Sequence, residues 1–363
     1  MRCGKNSVLP IACLSIAMFA AIHASAQTPS PALLVLEKND NSLAIVDPAT
    51  LQIVSRVAAG PDPHEIVASP DGKLAYISNY GGSDSALNTI SVVDLFARKP
   101  LPPINLGALR SPHGLAFAAG KLYFAAETNK VIGRYDPATQ TVDWVLGTGQ
   151  DRTHMISVSD GLDRIATSNV SSATISIIEQ VPSPGFGPPP AANGPPPVAT
   201  LLPGQPRKTW RVTNVPAGLG AEGFDVSPDG KELWAANAQD ATVTIIDLVS
   251  KKPTATLPVS VKRANRLKFT PDGKHVLISG LGGGPVSAGG NLAILDVATR
   301  KEVKQLDLGG GSAGILIVPE GSRAYVSVSA GDKVAVVDLH TLEVTSQIPT
   351  GKGPDGLAWA VPK

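Results

Sequence analysis

Cysteine is nearly missing from this 363-residue chain: there are two, Cys3 and Cys13, and both fall within the first 26 residues. A mature chain starting at Gln27 would hold no thiol, which excludes disulfides, cysteine-ligated metal clusters and cysteine nucleophiles. An excess of charge is missing as well. Without Arg2 and Lys5 the chain carries 29 basic side chains against 30 acidic ones, so no global field draws it to nucleic acid or to an anionic membrane. Beyond residue 26 no apolar run is long enough to span a bilayer, and no stretch keeps an amphipathic helical period over three turns.

What is there begins with a leader. Arg2 and Lys5 precede the apolar stretch 8–22, and Ala24-Ser25-Ala26 supplies the small residues that signal peptidase favours before Gln27. Residues 1–26 read as a secretory signal peptide, which implies a periplasmic or secreted protein with no transmembrane segment after cleavage. The apolar stretch is shorter than the ~20 residues a spanning helix needs. The rest, 27–363, reads as one turn-rich domain, since the chain contains 36 Gly and 32 Pro.

Internal repeats dominate that domain. IVASPDGK (66–73), FDVSPDGK (224–231) and LKFTPDGK (267–274) share one hairpin signal, in which Pro and Asp-Gly suit a tight reversal between two short strands. Six versions of the next strand follow: LAYISN (74–79), LYFAAE (122–127), RIATSN (164–169), ELWAAN (232–237), HVLISG (275–280) and RAYVSV (323–328). A β-branched run ending in Asp comes next, as in LAIVD (43–47), ISVVD (90–94), VTIID (243–247), LAILD (292–296) and VAVVD (334–338). A turn such as DPATLQIV (47–54) leads to a fourth strand. Four short strands recurring seven times at about 40–50 residues predict an all-β, seven-bladed β-propeller. The chain enters on the second strand of a unit, LLVLEK (33–38), and leaves on a first strand, GLAWAV (356–361), so the ends are expected to share one blade and close the ring.

The LAYISN–TISVVD and ELWAAN–TVTIID pairs, with their SPDGK hairpins, resemble the YVTN β-propeller repeat over roughly residues 33–363. That resemblance implies the fold and leaves the chemistry open, because related seven-bladed families include lactonases, metal-dependent lyases, amine dehydrogenase heavy chains and the non-haem half of nitrous-oxide reductase. Two segments depart from the repeat. A proline-rich loop occupies 181–206, and GLGGGPVSAGG (280–290) reads as a mobile flap.

With the four strands of a blade named a to d from the axis outward, the SPDGK turns lie on one face and the d–a loops on the other, where they crowd the mouth of the central channel. Two places before each strand-a apolar residue stand His64, His113, His154, Glu222, Asn265, Ala313 and Asp355 in successive blades. Three histidines in one register suit zinc, copper or manganese, with Glu222 and Asp355 as catalytic carboxylates; without metal they suit a general base. Structural rim residues are the competing interpretation. Arg110, Arg152, Arg263 and Asn265, with Lys262 and Lys352, suggest an anionic small ligand.

Glu37 and Glu127 replace an Asn that Asn79, Asn169 and Asn237 place at the ends of strand b, where it reads as a loop cap. His275 and His340 read as structural, and Glu65 has no counterpart in other blades. GLGAEG (218–223) precedes a strand, which rules out the dinucleotide motif; HEIVA lacks the second His of H-E-x-x-H; no G-x-S-x-G elbow or P-loop occurs. The expected function is ligand binding at the His-bearing mouth. The alternatives are a metal-dependent lyase or lactonase, and a non-enzymatic scaffold that meets a protein partner through its faces and the proline-rich loop.

Overall fold

The computed structural model describes residues 1, 4, 28–81, 85–183, 207–282 and 291–362. The leader (apart from residues 1 and 4), most of the proline-rich loop and most of the glycine-rich flap lie outside the described residues. No helix among them is long and apolar enough to cross a membrane.

Seven four-stranded antiparallel sheets form a ring. Blade 2 is built from Pro63–Ala68, Leu74–Asn79, Thr89–Asp94 and Lys99–Asn105, and its order in space is its order in sequence, a to d. Strand a of the following blades is Pro112–Ala118, Thr153–Val158, Ala221–Val226, Ala264–Phe269 and Ile315–Ile317. Blade 1 joins the chain ends as expected: Pro354–Ala360 pairs antiparallel with Ala32–Glu37 in the register Leu33↔Trp359, Leu34↔Ala358 and Val35↔Leu357.

The turns fold for local reasons. In the a–b hairpins Ser69 donates to Asp71 at 2.6 Å, Ser227 to Asp229 at 2.7 Å and Thr270 to Asp272 at 2.7 Å, while Gly72 supplies φ +68°. In the c–d turns the Asp that ends strand c accepts the backbone N–H two residues on, at 2.9 Å for Asp47, Asp94, Asp136 and Asp338. These carboxylates are turn formers, which accounts for their recurrence.

Strands b and c are apolar on both faces because each sheet is sandwiched between two others. Leu33 and Val35 pack with Tyr325, Val334 and Val336 of blade 7, while their neighbours Leu34 and Leu36 pack with Ala75, Ile77 and Val93 of blade 2. Burial on both sides gives continuous apolar runs in place of period-two alternation. The hydrophobic core is therefore a series of interfaces around the ring, and the strands a are left to line the axis.

Candidate functional site

Six of the seven mouth residues stand where strand a breaks register; Ala313 lies before Ile315–Ile317, whose pairing is regular. In blade 2, Pro63 pairs with Asn79 and Ile66 with Ile77, so His64 and Glu65 together oppose Ser78. The same two-against-one count places His113 and Gly114 opposite Ala125, His154 and Met155 opposite Ser168, and Glu222 and Gly223 opposite Ala236. Asn265 is the extra residue between Ala264 and Arg266, and Asp355 lies in the irregular register of the closing blade. A bulge re-aims the side chains it carries. Here it turns the first of each pair to the mouth and sets the second on the bore.

The three histidines come together. His64 and His113 have ring centroids 5.1 Å apart, and His113 stacks on His154 at 3.6 Å with planes 29° apart. Tyr80 packs on His64 at 4.8 Å and edge-on to His113 at 5.3 Å. His113 and His154 are each 2% exposed. Glu127 accepts a short hydrogen bond from His154 Nδ1 and another from the Tyr80 hydroxyl at 2.7 Å, and Arg152 Nε lies 3.5 Å from its second oxygen. On the other side of the ring, His154 Nε2 lies 3.4 Å from Glu222 Oε1, which also faces Arg266 Nη1 at 3.5 Å.

These neighbours push the two stacked imidazoles in opposite directions. Burial, with the charges of His154, His64 and Arg266, drives His113 well below its ordinary value and keeps it neutral. Burial alone would lower His154 too, but hydrogen bonds to Glu127 and Glu222 outweigh it and hold the imidazole above its ordinary value. Glu222 answers in kind: burial opposes its charge, yet His154 and Arg266 carry its carboxyl down to about 2.

The remaining expected residues divide into two groups. Asp355 is buried beside His64, with its Oδ2 3.8 Å from His64 Nδ1 and 3.4 Å from Lys38 Nζ, and Asn265 accepts from Arg266 Nη1 at 3.2 Å. Arg152 stands at the edge of a depression of about 450 Å³ that also touches Tyr80, Ser111, Glu127 and Lys130. Arg110 and Arg263 are exposed on the loops: Arg110 bonds the Ala86 carbonyl at 3.1 Å, and the Arg263 carbonyl accepts from Leu281 N–H. Asn79 and Asn169 act as buried caps, as their place in the repeat predicts. Glu37 is tied to Arg56, Ser42 and the Gly351 N–H in the closing blade.

Sequence reasoning passed over Tyr80 and Arg266 and set Glu65 aside. Arg266 Nη2 donates to Glu65 Oε1 at 2.6 Å, so the partner of Glu65 stands on a different blade. The signal was available one place after the mouth register, where four blades carry Gly114, Gly223, Gly314 and Gly356 and only blades 2 and 6 carry a charge.

The arrangement does not gather the three imidazoles around one point. An imidazole binds metal through a lone pair in the plane of its ring, about 2.0–2.1 Å from the ion. Rings stacked nearly parallel at 3.6 Å send those lone pairs alongside each other. Among the described residues no group of three or more His, Asp or Glu side chains has metal-holding geometry.

Solved structures share the fold at low identity. A 6-phosphogluconolactonase candidate from Bacteroides uniformis matches with a TM-score of 0.67 at 15% identity, covering 91% of this chain and 99% of its own. A protein of unknown function from Desulfotomaculum acetoxidans matches with a TM-score of 0.66 at 12% identity, covering 92% and 99%. The dihydro-heme d1 dehydrogenase NirN, solved with DHE, matches with a TM-score of 0.59 at 16% identity, covering 91% and 75%. No curated protein matches by sequence. The model of the YNCE-like beta-propeller family matches residues 1–95, and the chain is a seven-bladed β-propeller whose opening blades carry that pattern.

Proposed function

We propose that the protein is an exported β-propeller that binds a small anionic ligand at the His-bearing mouth of its channel. One observation carries this reading: His113 Nδ1 is buried at the mouth with no hydrogen-bond partner among the described residues, beside His154, whose Nε2 faces Glu222 at 3.4 Å. A buried polar atom left unpaired costs about 1–3 kcal/mol, so His113 is suited to a partner supplied from outside. The depression around Arg152 offers an anion one cation: Arg152 keeps 45% of its side chain exposed and presents a planar fork of donors, while Lys130 is paired with Asp151 at 2.6 Å and Glu127 lines the same depression.

The opposed proton affinities of the stacked imidazoles favour a second reading, hydrolysis of a lactone, the class of substrate named for the Bacteroides uniformis neighbour. Protonated His154 would give a proton to the departing alkoxide, and neutral His113, held too weakly basic to keep a proton beside it, would orient the attacking water as a hydrogen-bond acceptor while that water's proton passes to solvent. The product would be a carboxylate, the same class of ligand.

Calorimetric titration with gluconate, 6-phosphogluconate and inorganic phosphate tests the binding. The expected result is saturable binding of at least one anion, weakened about tenfold or more by Arg152→Gln and by His113→Gln. Absence of binding by all three, or binding indifferent to both substitutions, overturns it. Metal content after incubation with zinc, copper and manganese belongs in the same experiment: a stoichiometric ion lost in a variant with all three histidines changed would replace this reading with metal-assisted chemistry.

A further inference from the structure

Behind the mouth lies a second feature, which the ligand reading above does not use. In the residue after each mouth position, a Cβ on Gly114 would lie 2.6 Å from the His154 carbonyl oxygen, and one on Gly356 2.5 Å from that of His64. Such positions must be glycine because the neighbouring strand a fills the space. Glu65, Met155 and Arg266 instead carry side chains to the bore. Glu65 belongs to blade 2 and Arg266 to blade 6, with two blades between them one way around the ring and three the other. Their 2.6 Å hydrogen bond therefore crosses the channel.

Beneath that bar is a cavity of about 260 Å³ lined from every strand a, in similar measure by polar groups and by the edges of Ile66, Leu115, Ile156, Phe224, Ile315 and Leu357, whose side chains otherwise pack into the blade interfaces. Glu65 and Arg266 line it toward the mouth, and Asp225 and Lys268, 3.5 Å apart, line it farther along the strands a of blades 5 and 6. Its volume falls just under the roughly 300–1,000 Å³ of pockets that take drug-sized ligands, so the occupant is small. The Arg266 guanidinium is buried and faces three carboxylates: Glu65 in a direct hydrogen bond, Glu222 at 3.5 Å, and Asp355 by charge alone.

We propose that this cavity is a ligand site for a small carboxylate with an apolar body, and that Glu65 is the built-in occupant of its anchor. The ligand's carboxylate takes the place of Glu65 on Arg266, and its hydrocarbon part lies against the apolar edges. Arg266 stays paired throughout, because Asn265 and Glu222 hold its Nη1 while Nη2 changes partner. The chain's own carboxylate competes for the anchor, so apparent affinity is reduced by the fraction of molecules in which it is displaced.

Calorimetry with hexanoate as probe tests this in the full chain. Glu65→Gln, which keeps an acceptor for Arg266 but removes the competing charge, is expected to tighten hexanoate binding by about tenfold or more. Arg266→Gln is expected to abolish it; Arg266→Lys, which keeps the charge, is expected to weaken it with the fold intact by circular dichroism. Arg152→Gln, at the mouth, is expected to leave it unchanged. Three results would overturn the proposal: no hexanoate binding in either the wild type or Glu65→Gln, no tightening in Glu65→Gln, or a loss that follows Arg152 in place of Arg266. The last would place hexanoate at the mouth and leave the mouth reading standing; loss of the mouth reading with Glu65-dependent hexanoate binding intact would be the reverse case.

Discussion

At the scale of single residues, the site is governed by two carboxylates that share one imidazole. Glu127 and Glu222 flank His154, and both are held ionised by it although they are buried. Glu127→Gln removes the stronger of these partners, and the His154 titration seen by NMR is expected to move to lower pH. If lactone hydrolysis is the activity, its rate should fall as pH rises through the raised His154 value, and that limb should shift to lower pH in Glu127→Gln. Glu222 sets the acid side. Its carboxyl falls from 4.5 in the unfolded chain to about 2 in the fold, so its stabilisation is complete above pH 4.5 and is lost as pH falls toward 2. The shift corresponds to about 3 kcal/mol, and Glu222→Gln should flatten the acid limb of a thermal-denaturation profile by an amount of that order.

At the scale of the element, the bulge in strand a does the positioning. In blades 2, 4 and 6 a serine of strand b accepts from the backbone at the second bulge position: Ser78 from Glu65, Ser168 from Met155 and Ser279 from Arg266, at 3.0–3.2 Å. Ser168 and Ser279 donate onward to the Glu222 and Ala313 carbonyls of the next blade at 2.5 and 2.6 Å, tying each bulge to the neighbouring strand a. Gly356 fits against the His64 carbonyl on the same principle of close approach. Gly356→Ala is expected to destabilise the protein by about 1–3 kcal/mol, the range for overpacking a filled space, and to disturb the His64 resonance. Thermal denaturation and the NMR spectrum check both, while Gly107→Ala, at a loop glycine with open space around it, should leave the His64 resonance in place.

At the scale of the whole molecule, the ring is closed by strands from opposite ends of the chain. Leu33 and Leu34 of Ala32–Glu37 are fully buried, and one edge of their strand is covered only by Pro354–Ala360. A chain truncated before Pro354 would expose an apolar edge and open the channel. It is expected to lose cooperative unfolding and to aggregate, by calorimetry and size-exclusion chromatography, in keeping with the general hazard of an uncovered apolar strand edge.

The blade count and the shared blade were legible in the chain, because each is written locally and repeated: the SPDGK turn, the two-sided apolar strand and the Asp that folds the next turn; strand ends were less so, since Thr174–Pro182 runs into the segment read as proline-rich loop and the closing strand begins at Pro354, two residues before the apolar run. The common register of His64, His113 and His154 was legible for the same reason, since a repeat assigns equivalent positions to equivalent places on the ring. What register leaves undetermined is direction. That His113 stacks on His154, that Glu127 orients one imidazole while burial neutralises the other, and that Glu65 meets Arg266 across the bore follow from bulges and from curvature accumulated over seven sheets. A period in sequence places residues around an axis; only the closed ring decides which of them touch across it, because that distance depends on every blade interface at once.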